Sequence, residues 1–320
     1  MSLNTHDRRA PGGRAQTSAP GAAGARRRAP RRGGRNLVGY LFIAPLVAGL
    51  AVFHLYPMLV TTYSSFTSWD GFTPRKWVGL DNYSKLILHD TLFHTVVRNT
   101  LLFMLGAIPL TMLLALALAT LISPQRRIMT VFRLAFFVPY VANVVAVSVV
   151  WFRLYDGRDG VFNSILGFFG IHGPDWLVTS PWALVAVVFV SVWQGVGYPM
   201  IVLMAGIQSI PAELYEAASL DGASRTRRFR SITLPLLTPS LFFVSISQFV
   251  ASFQVFGIVY VMTHGGPGND TNTYLLQLFN TSFADGQLGY ASAMAWLLFL
   301  VIAALTVFQW RMQRKWVFYG

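Results

Sequence analysis

The stretch IPAELYEAASLDGASRTRRFRSITLPLLTPS, Ile210–Ser240, reads as a charged helical hairpin set between two strongly apolar segments. It carries three acids (Glu213, Glu216, Asp221), four arginines (Arg225, Arg227, Arg228, Arg230) and prolines at both ends. Pro211 suits a first helical position, Glu213 and Glu216 fall where the helix dipole favours anions, and Ala217 and Ala218 are strong helix formers. Asp221-Gly222 ends that helix, because Gly222 takes a left-handed conformation at little cost. A second short helix follows through the arginines and must stop or kink at Ile232-Thr233-Leu234-Pro235. The small residues Ala217, Ala218, Gly222 and Ala223 leave a surface that another protein can approach closely.

Outside the hairpin the composition is that of a membrane protein. The 320 residues are 54% hydrophobic and 12% charged, with a mean hydropathy of +0.51. No cysteine is present, so a disulfide framework, an iron–sulfur cluster and a thiol nucleophile are excluded. The formal charge of +13 is not spread as a nucleic-acid footprint. Nine of the 25 basic residues lie in the first 36, and most of the rest flank apolar segments, a placement that sets orientation in a bilayer. Residues 1–35, dense at Arg26-Arg27-Arg28 and Arg31-Arg32, cannot bury a core and are expected to form a disordered cytoplasmic tail. Residues 36–320 are expected to form one transmembrane domain.

Six stretches are long enough to cross the hydrocarbon as helices: Leu37–Phe66, Asn99–Ile122, Leu134–Leu154, Trp182–Ile207, Leu236–Met262 and Tyr290–Trp310. Pro45, Pro57, Pro109, Pro139 and Pro199 fall inside them and are expected to kink helices within a bundle. The tail, the loop with Arg126, Arg127 and Arg133, the Ile210 hairpin and the end with Arg311, Arg314 and Lys315 are basic and should face the cytoplasm. The loops at 156–181 and 265–289 are acidic and should face outward, whereas 67–98 is mixed. Both termini are therefore expected inside.

Against this frame Glu216-Ala217-Ala218, Gly222, Ile232 and Leu234-Pro235 resemble, in residue and spacing, the EAA loop of bacterial ABC importer permeases. Trp77-Val78-Gly79-Leu80-Asp81-Asn82-Tyr83, Asn99-Thr100, Gly265-Gly266-Pro267, Thr271 and Gly289-Tyr290-Ala291-Ser292-Ala293 resemble the outer loops and last span of the carbohydrate-importing group, of the maltose/glycerol-phosphate/oligosaccharide type. The resemblance covers about residues 37–320. It implies an all-α fold of the type I importer permease class: six transmembrane helices and a cytoplasmic helix-turn-helix coupling loop at about 210–235. It further implies a bacterial cytoplasmic membrane location, a heterodimer with a second permease, two copies of a cytoplasmic ATPase and an extracytoplasmic sugar-binding protein, with membrane lipid around the chain. Glu213, Glu216, Ala217, Ala218, Asp221, Gly222, Ala223, Ile232, Leu234 and Pro235 would form the ATPase-coupling surface. The extra amino-terminal helices and large outer domain of the maltose transporter's larger permease are absent.

The chain offers no energy source of its own. It contains no G-x-x-x-x-G-K-[ST] loop, and its only lysines are Lys76, Lys85 and Lys315. His54 is the single ionisable residue well inside a span and reads more simply as a hydrogen-bonded interface residue than as a proton relay. No catalytic residue, metal site, cofactor or nucleic-acid partner is expected. An ion-coupled carrier acting alone is the rival reading, and a membrane-anchored nucleic-acid binder using the arginine tail is a third.

A sugar site needs amides and hydroxyls for hydroxyl groups and aromatic faces for the ring. Gln248, Ala251, Ser252 and Val255 share one helical face, with Phe249, Phe253 and Gln254 beside them. Trp193-Gln194-Gly195-Val196-Gly197-Tyr198-Pro199 supplies an amide, a phenol and two glycines able to loosen a helix. By family analogy Gly195, Tyr198, Gln248 and Ser252 stand at substrate-contacting positions. The same residue types also glue membrane helices together, so the residues alone leave both readings open. Asn143 is expected in an interhelical hydrogen bond, and Gly265-Gly266-Pro267-Gly268-Asn269-Asp270 in a flexible turn.

Overall fold

The computed structural model describes residues 33–123 and 127–316. Nearly all of the tail, with its two arginine runs, and Arg126 in the basic loop lie outside the described residues. The described residues divide after Leu55 into two compact units. In the first, α1 (Gly33–Leu50) runs into one π turn, Ala51–Leu55, and none of its described side chains is buried, His54 included. A helix apolar on all sides and exposed along its length is the pattern of a lipid- or protein-facing span.

The second unit begins with α2 (Tyr56–Ser65), which carries Pro57 in its first turn, and a two-rung hairpin of β1 (Thr67–Ser68) and β2 (Lys76–Trp77). Then come α3 (Asp81–Ser84), α4 (Thr91–Ile122), α5 (Arg127–Val141), α6 (Val144–Leu154), α7 (Val161–Phe168), α8 (Trp182–Gly195) and α9 (Gly197–Gln208). The hairpin helices are α10 (Ala212–Leu220), α11 (Arg225–Arg228), a π turn at Phe229–Thr233 and α12 (Leu234–Leu236). The chain finishes with α13 (Thr238–Phe253), α14 (Gly257–Met262), α15 (Tyr274–Phe279) and α16 (Leu288–Trp316).

Among the described residues four helical runs are long and apolar enough to cross a membrane, and six spans result if each of two bent pairs counts as one. α4 is the spine. Its buried residues, from Phe93, Val96 and Asn99 through Phe103, Ala107 and Thr111 to Ala119 and Ile122, recur every three or four positions and pack on α8, α9, α13 and α15. Small Ala115 and Ala119, both fully buried, let α9 approach α4 through Met200 and Leu203.

Three sequence expectations need correction. The second span starts at Thr91 rather than Asn99, because the Asp90 carboxylate caps the helix by accepting from the Phe93 N–H at 2.9 Å. Hydropathy registers where a helix turns apolar, and the capping residue decides where it begins. The third span is no gently kinked rod: α5 and α6 meet at 99°. Asn143 makes that corner as the N-cap of α6, accepting from the Val145 N–H at 2.9 Å and the Ala146 N–H at 3.3 Å, rather than bridging two helices. Lastly, Gly265–Asp270 is ordered. Thr271 donates to the Gly266 carbonyl at 2.6 Å, and Asn99 donates its amide to the carbonyls of Asn269 at 2.6 Å and Asn272 at 3.2 Å. Thr271, Asn272 and Thr273 are buried.

Candidate functional site

The bent helices border an open hollow of about 240 Å3 beside the spine. Thr111 of α4, Tyr140 of α5, Ser191, Gln194 and Gly195 of α8, and Gln248, Ala251 and Ser252 of α13 line it. The helical face expected of the fifth span therefore reaches the hollow. The polar groups of the lining are hydroxyls and amides, with no charged side chain among them. Phe103, Ala107, Val255 and Ile258 complete the lining, so the wall is mainly apolar with a few uncharged polar groups, which suits a neutral ligand. Ser191 Oγ is buried without a hydrogen-bond partner, which leaves one hydroxyl unspent at the wall.

The two glycines of the fourth span behave differently. α8 and α9 bend by 44° at Val196 between them. A Cβ at Gly195 would meet nothing within 4 Å, so this residue simply keeps the hollow open. A Cβ at Gly197 would lie 2.5 Å from the Phe136 carbonyl oxygen, so there the backbones of α9 and α5 need the missing side chain. Tyr198 is not in the lining; its ring stacks on Tyr140 at 5.5 Å and 19°, and Tyr140 is the residue exposed to the hollow. Phe249 packs on the main apolar cluster, and Phe253 is buried in it, facing a separate crevice with Phe93, Tyr274 and Leu298. Gln254 is exposed at the end of α13. These three sit on neighbouring strips of the helix, and one helical step of about 100° turns them from the hollow.

The hairpin is built from its own chemistry. Pro211 holds φ −56° and ψ 131° and stands just before the helix rather than at its first position. Gly222 has φ +71°, and the pair Ala223 N–H to Ala218 carbonyl at 2.9 Å and Gly222 N–H to Ser219 carbonyl at 3.1 Å closes a Schellman cap. Ser224 opens the next helix by accepting from the Arg227 N–H at 3.3 Å. The two legs are tied by Tyr215 Oη and Thr233 Oγ1 at 2.9 Å and by Arg228 Nη1 donating to Ser219 Oγ at 2.7 Å. The π turn ahead of Pro235 lets the helical path continue through the proline to Leu236, and the chain breaks at Leu237 instead. No residue of α10 is buried; Glu213, Glu216, Ala217, Asp221 and Gly222 are exposed, and Leu220 is 90% exposed. Between the legs lies a shallow hollow of about 240 Å3 walled by Ala218, Asp221, Ala223, Arg228 and Ile232.

Leu234 and Pro235 are half-buried and carry the hairpin into α13. Residues 107–317, from the middle of α4 to the end of α16, match the family described as binding-protein-dependent transport system inner membrane component. The chain belongs to that family. This permease is 37% identical to a probable ABC transporter permease protein of Bacillus subtilis, over 89% of this chain and 93% of the relative. It is 34% identical to the multiple sugar-binding transport system permease protein of Streptococcus mutans (87% and 95% covered) and to the trehalose/maltose transport system permease protein of Thermococcus litoralis (84% and 91%). Its fold is similar to that of a chain in a bacterial ABC transporter involved in the import of the acidic polysaccharide alginate, with a TM-score of 0.77, 22% identity and 88% and 96% of the two chains covered. The permease is thus a multi-pass membrane protein of a transport system.

Sequence reasoning missed Thr111, Tyr140 and Ser191. Ser191 was within reach, since it lies one helical turn before Gly195 on the same face. Tyr140 and Thr111 come from other helices, and only the 99° corner and the packing of α4 bring them in.

Proposed function

We propose that this permease is one of two membrane subunits of an ATP-driven importer that moves a neutral sugar from an extracytoplasmic binding protein to the cytoplasm. The names of its relatives support the sugar, as do the hydroxyls, amides and Tyr140 ring around the hollow. Gly195, Gln248 and Ser252 would meet the sugar directly, Tyr198 through Tyr140, and Phe249, Phe253 and Gln254 would act from the flanks. The chain itself performs no catalysis. Its partners would be a second permease, two copies of a cytoplasmic ATPase and the binding protein, with both termini cytoplasmic as the basic loops require.

The observation that carries the reading is the continuity of the hairpin with the hollow. One leg follows α9, whose first residue adjoins the bend at Val196, next to Gly195 of the lining; the other passes through α12 into α13, which bears Gln248 and Ser252. α9 and α13 are clamped by Met200, Leu203, Leu237 and Val244, all fully buried. A Cβ at Gly206 would sit 2.7 Å from Leu237 Cδ1, so the two helices touch backbone to side chain there. A push on the exposed α10 is passed to both walls of the hollow by packed, rigid helices. ATPase closure would use this lever to switch the spans between inward- and outward-facing states. In proteoliposomes with the full complex, Gly222→Trp should abolish sugar uptake while ATP hydrolysis continues. Uptake at the wild-type rate would refute the lever.

A further inference from the structure

We propose that the end of the bundle where α2 stops and α16 begins holds an anion pocket for an organic phosphate, separate from the sugar hollow. The cavity there measures about 290 Å3. Trp69, Asp70 and Lys76 come from the β hairpin, Asn82 and Lys85 from α3 and the turn after it, and Gln287 from the residues before α16. Elements far apart in sequence thus converge on one concavity.

Two features give it a sign. Lys76 and Lys85 both line the cavity, and neither is in a salt bridge among the described residues. Against these two ammonium groups the lining sets one carboxylate, Asp70, which keeps its charge although it is hydrogen-bonded, so the cavity is net positive by one. Asp90 accepts the Tyr290 hydroxyl at 2.6 Å and caps α4. Asp70 Oδ1 accepts from the Phe72 N–H at 3.0 Å and from the Thr73 N–H and hydroxyl at 2.8 Å. Lys85 is held by its position 5.0 Å over the Tyr290 ring, and the wall beneath Trp69 is stiffened by Arg75 stacked 4.0 Å from the indole. Ammonium groups without a carboxylate partner, converging on a polar concavity, raise the local concentration of anions, and a phosphate's three acceptor oxygens suit lysines arriving from two directions. Trp69 in the lining is of a residue type enriched where headgroups lie. The phosphate could therefore be carried by a phospholipid headgroup or by a soluble organic phosphate, and the chemistry in the pocket is the same.

The test separates those sources. The purified permease in phosphatidylcholine nanodiscs is compared with and without phosphatidylglycerol, and retained lipid is counted by native mass spectrometry. In parallel, inorganic phosphate and glycerol phosphate are titrated calorimetrically into the phosphatidylcholine discs. Binding in the first arm assigns the headgroup, and binding in the second assigns a soluble ligand. In either arm Lys76→Ala/Lys85→Ala should weaken binding at least tenfold, on the order of two lost charge-assisted hydrogen bonds. Asp70→Asn keeps an acceptor for the turn and removes a like charge, so it should tighten binding by about fivefold. A gain cannot arise from misfolding. Equal binding by wild type and both variants in both arms, or no binding in either, overturns the proposal.

Discussion

The two ends of the helix bundle are held together by different means. At the end where α4 begins, hydrogen bonds join residues 170 or more apart: Asn99 to the Asn269 and Asn272 carbonyls, and Thr100 accepting from the Tyr274 N–H at 2.9 Å. Asn99 and Thr100 are 4% and 1% exposed, so these bonds lie in a dry setting where an unmade bond is costly. Within the hairpin, the two side-chain bonds that tie its legs join residues no more than 18 apart, and α10 buries nothing. One end is a clasp that fixes the frame. The other is a self-standing handle whose unspent surface is left for a partner.

That contrast can be broken by substitution. The largest expected effect is Asn99→Leu, which leaves the carbonyl of buried Asn272 without its donor and removes a second bond to the Asn269 carbonyl; it should cost about 2–3 kcal/mol, read as a fall in melting temperature of the purified protein. Thr100→Val removes the acceptor for one buried N–H and should cost about 1–2 kcal/mol by the same measurement. At the handle, Gly222→Ala forces a side chain into a left-handed turn and should cost only about 1 kcal/mol. Equal losses at Asn99 and Gly222 would erase the distinction. Gly195→Leu sharpens it further: the added side chain enters open space, so melting should be unchanged while uptake falls by tenfold or more.

The smallest effect is electrostatic. The backbone N–H of Thr73, its hydroxyl and the Phe72 N–H hold the Asp70 carboxyl at a pKa of about 2, below the ordinary carboxylate range. A lowered folded pKa contributes stability above the unfolded value, and that contribution is lost as pH falls from about 4 towards 2. Asp70 is fully exposed, so the contribution is small. Asp70→Asn should flatten the acid limb of the melting curve in that window, lying slightly below the wild type at neutral pH and meeting it near pH 2.

Much of this was legible in the chain. The hairpin's helix, its Gly222 stop and the face of Gln248, Ala251, Ser252 and Val255 follow from propensities and a 3.6-residue period, which are local rules. What stayed hidden depends on chain reversal at a distance. The Asn143 cap looked like a polar residue inside a span because hydropathy averages over a 99° corner. The loop at Gly265 looked flexible because its composition carries no trace of Asn99, some 170 residues earlier, which pins it. Phe249 and Phe253 were grouped with their neighbours by sequence proximity, although each faces a different partner around the helix.

The absence of cysteine makes the most direct test clean. A single cysteine placed by Ala217→Cys on the exposed face of α10 would be cross-linked in native membranes, with Phe72→Cys in the exposed turn of the β hairpin as control, and the product identified by mass spectrometry. The expected result is a conjugate at position 217, but not at 72, with a protein that carries a phosphate-binding G-x-x-x-x-G-K-[ST] loop. No conjugate at 217, together with uptake by the purified chain alone in the absence of ATP, would contradict it.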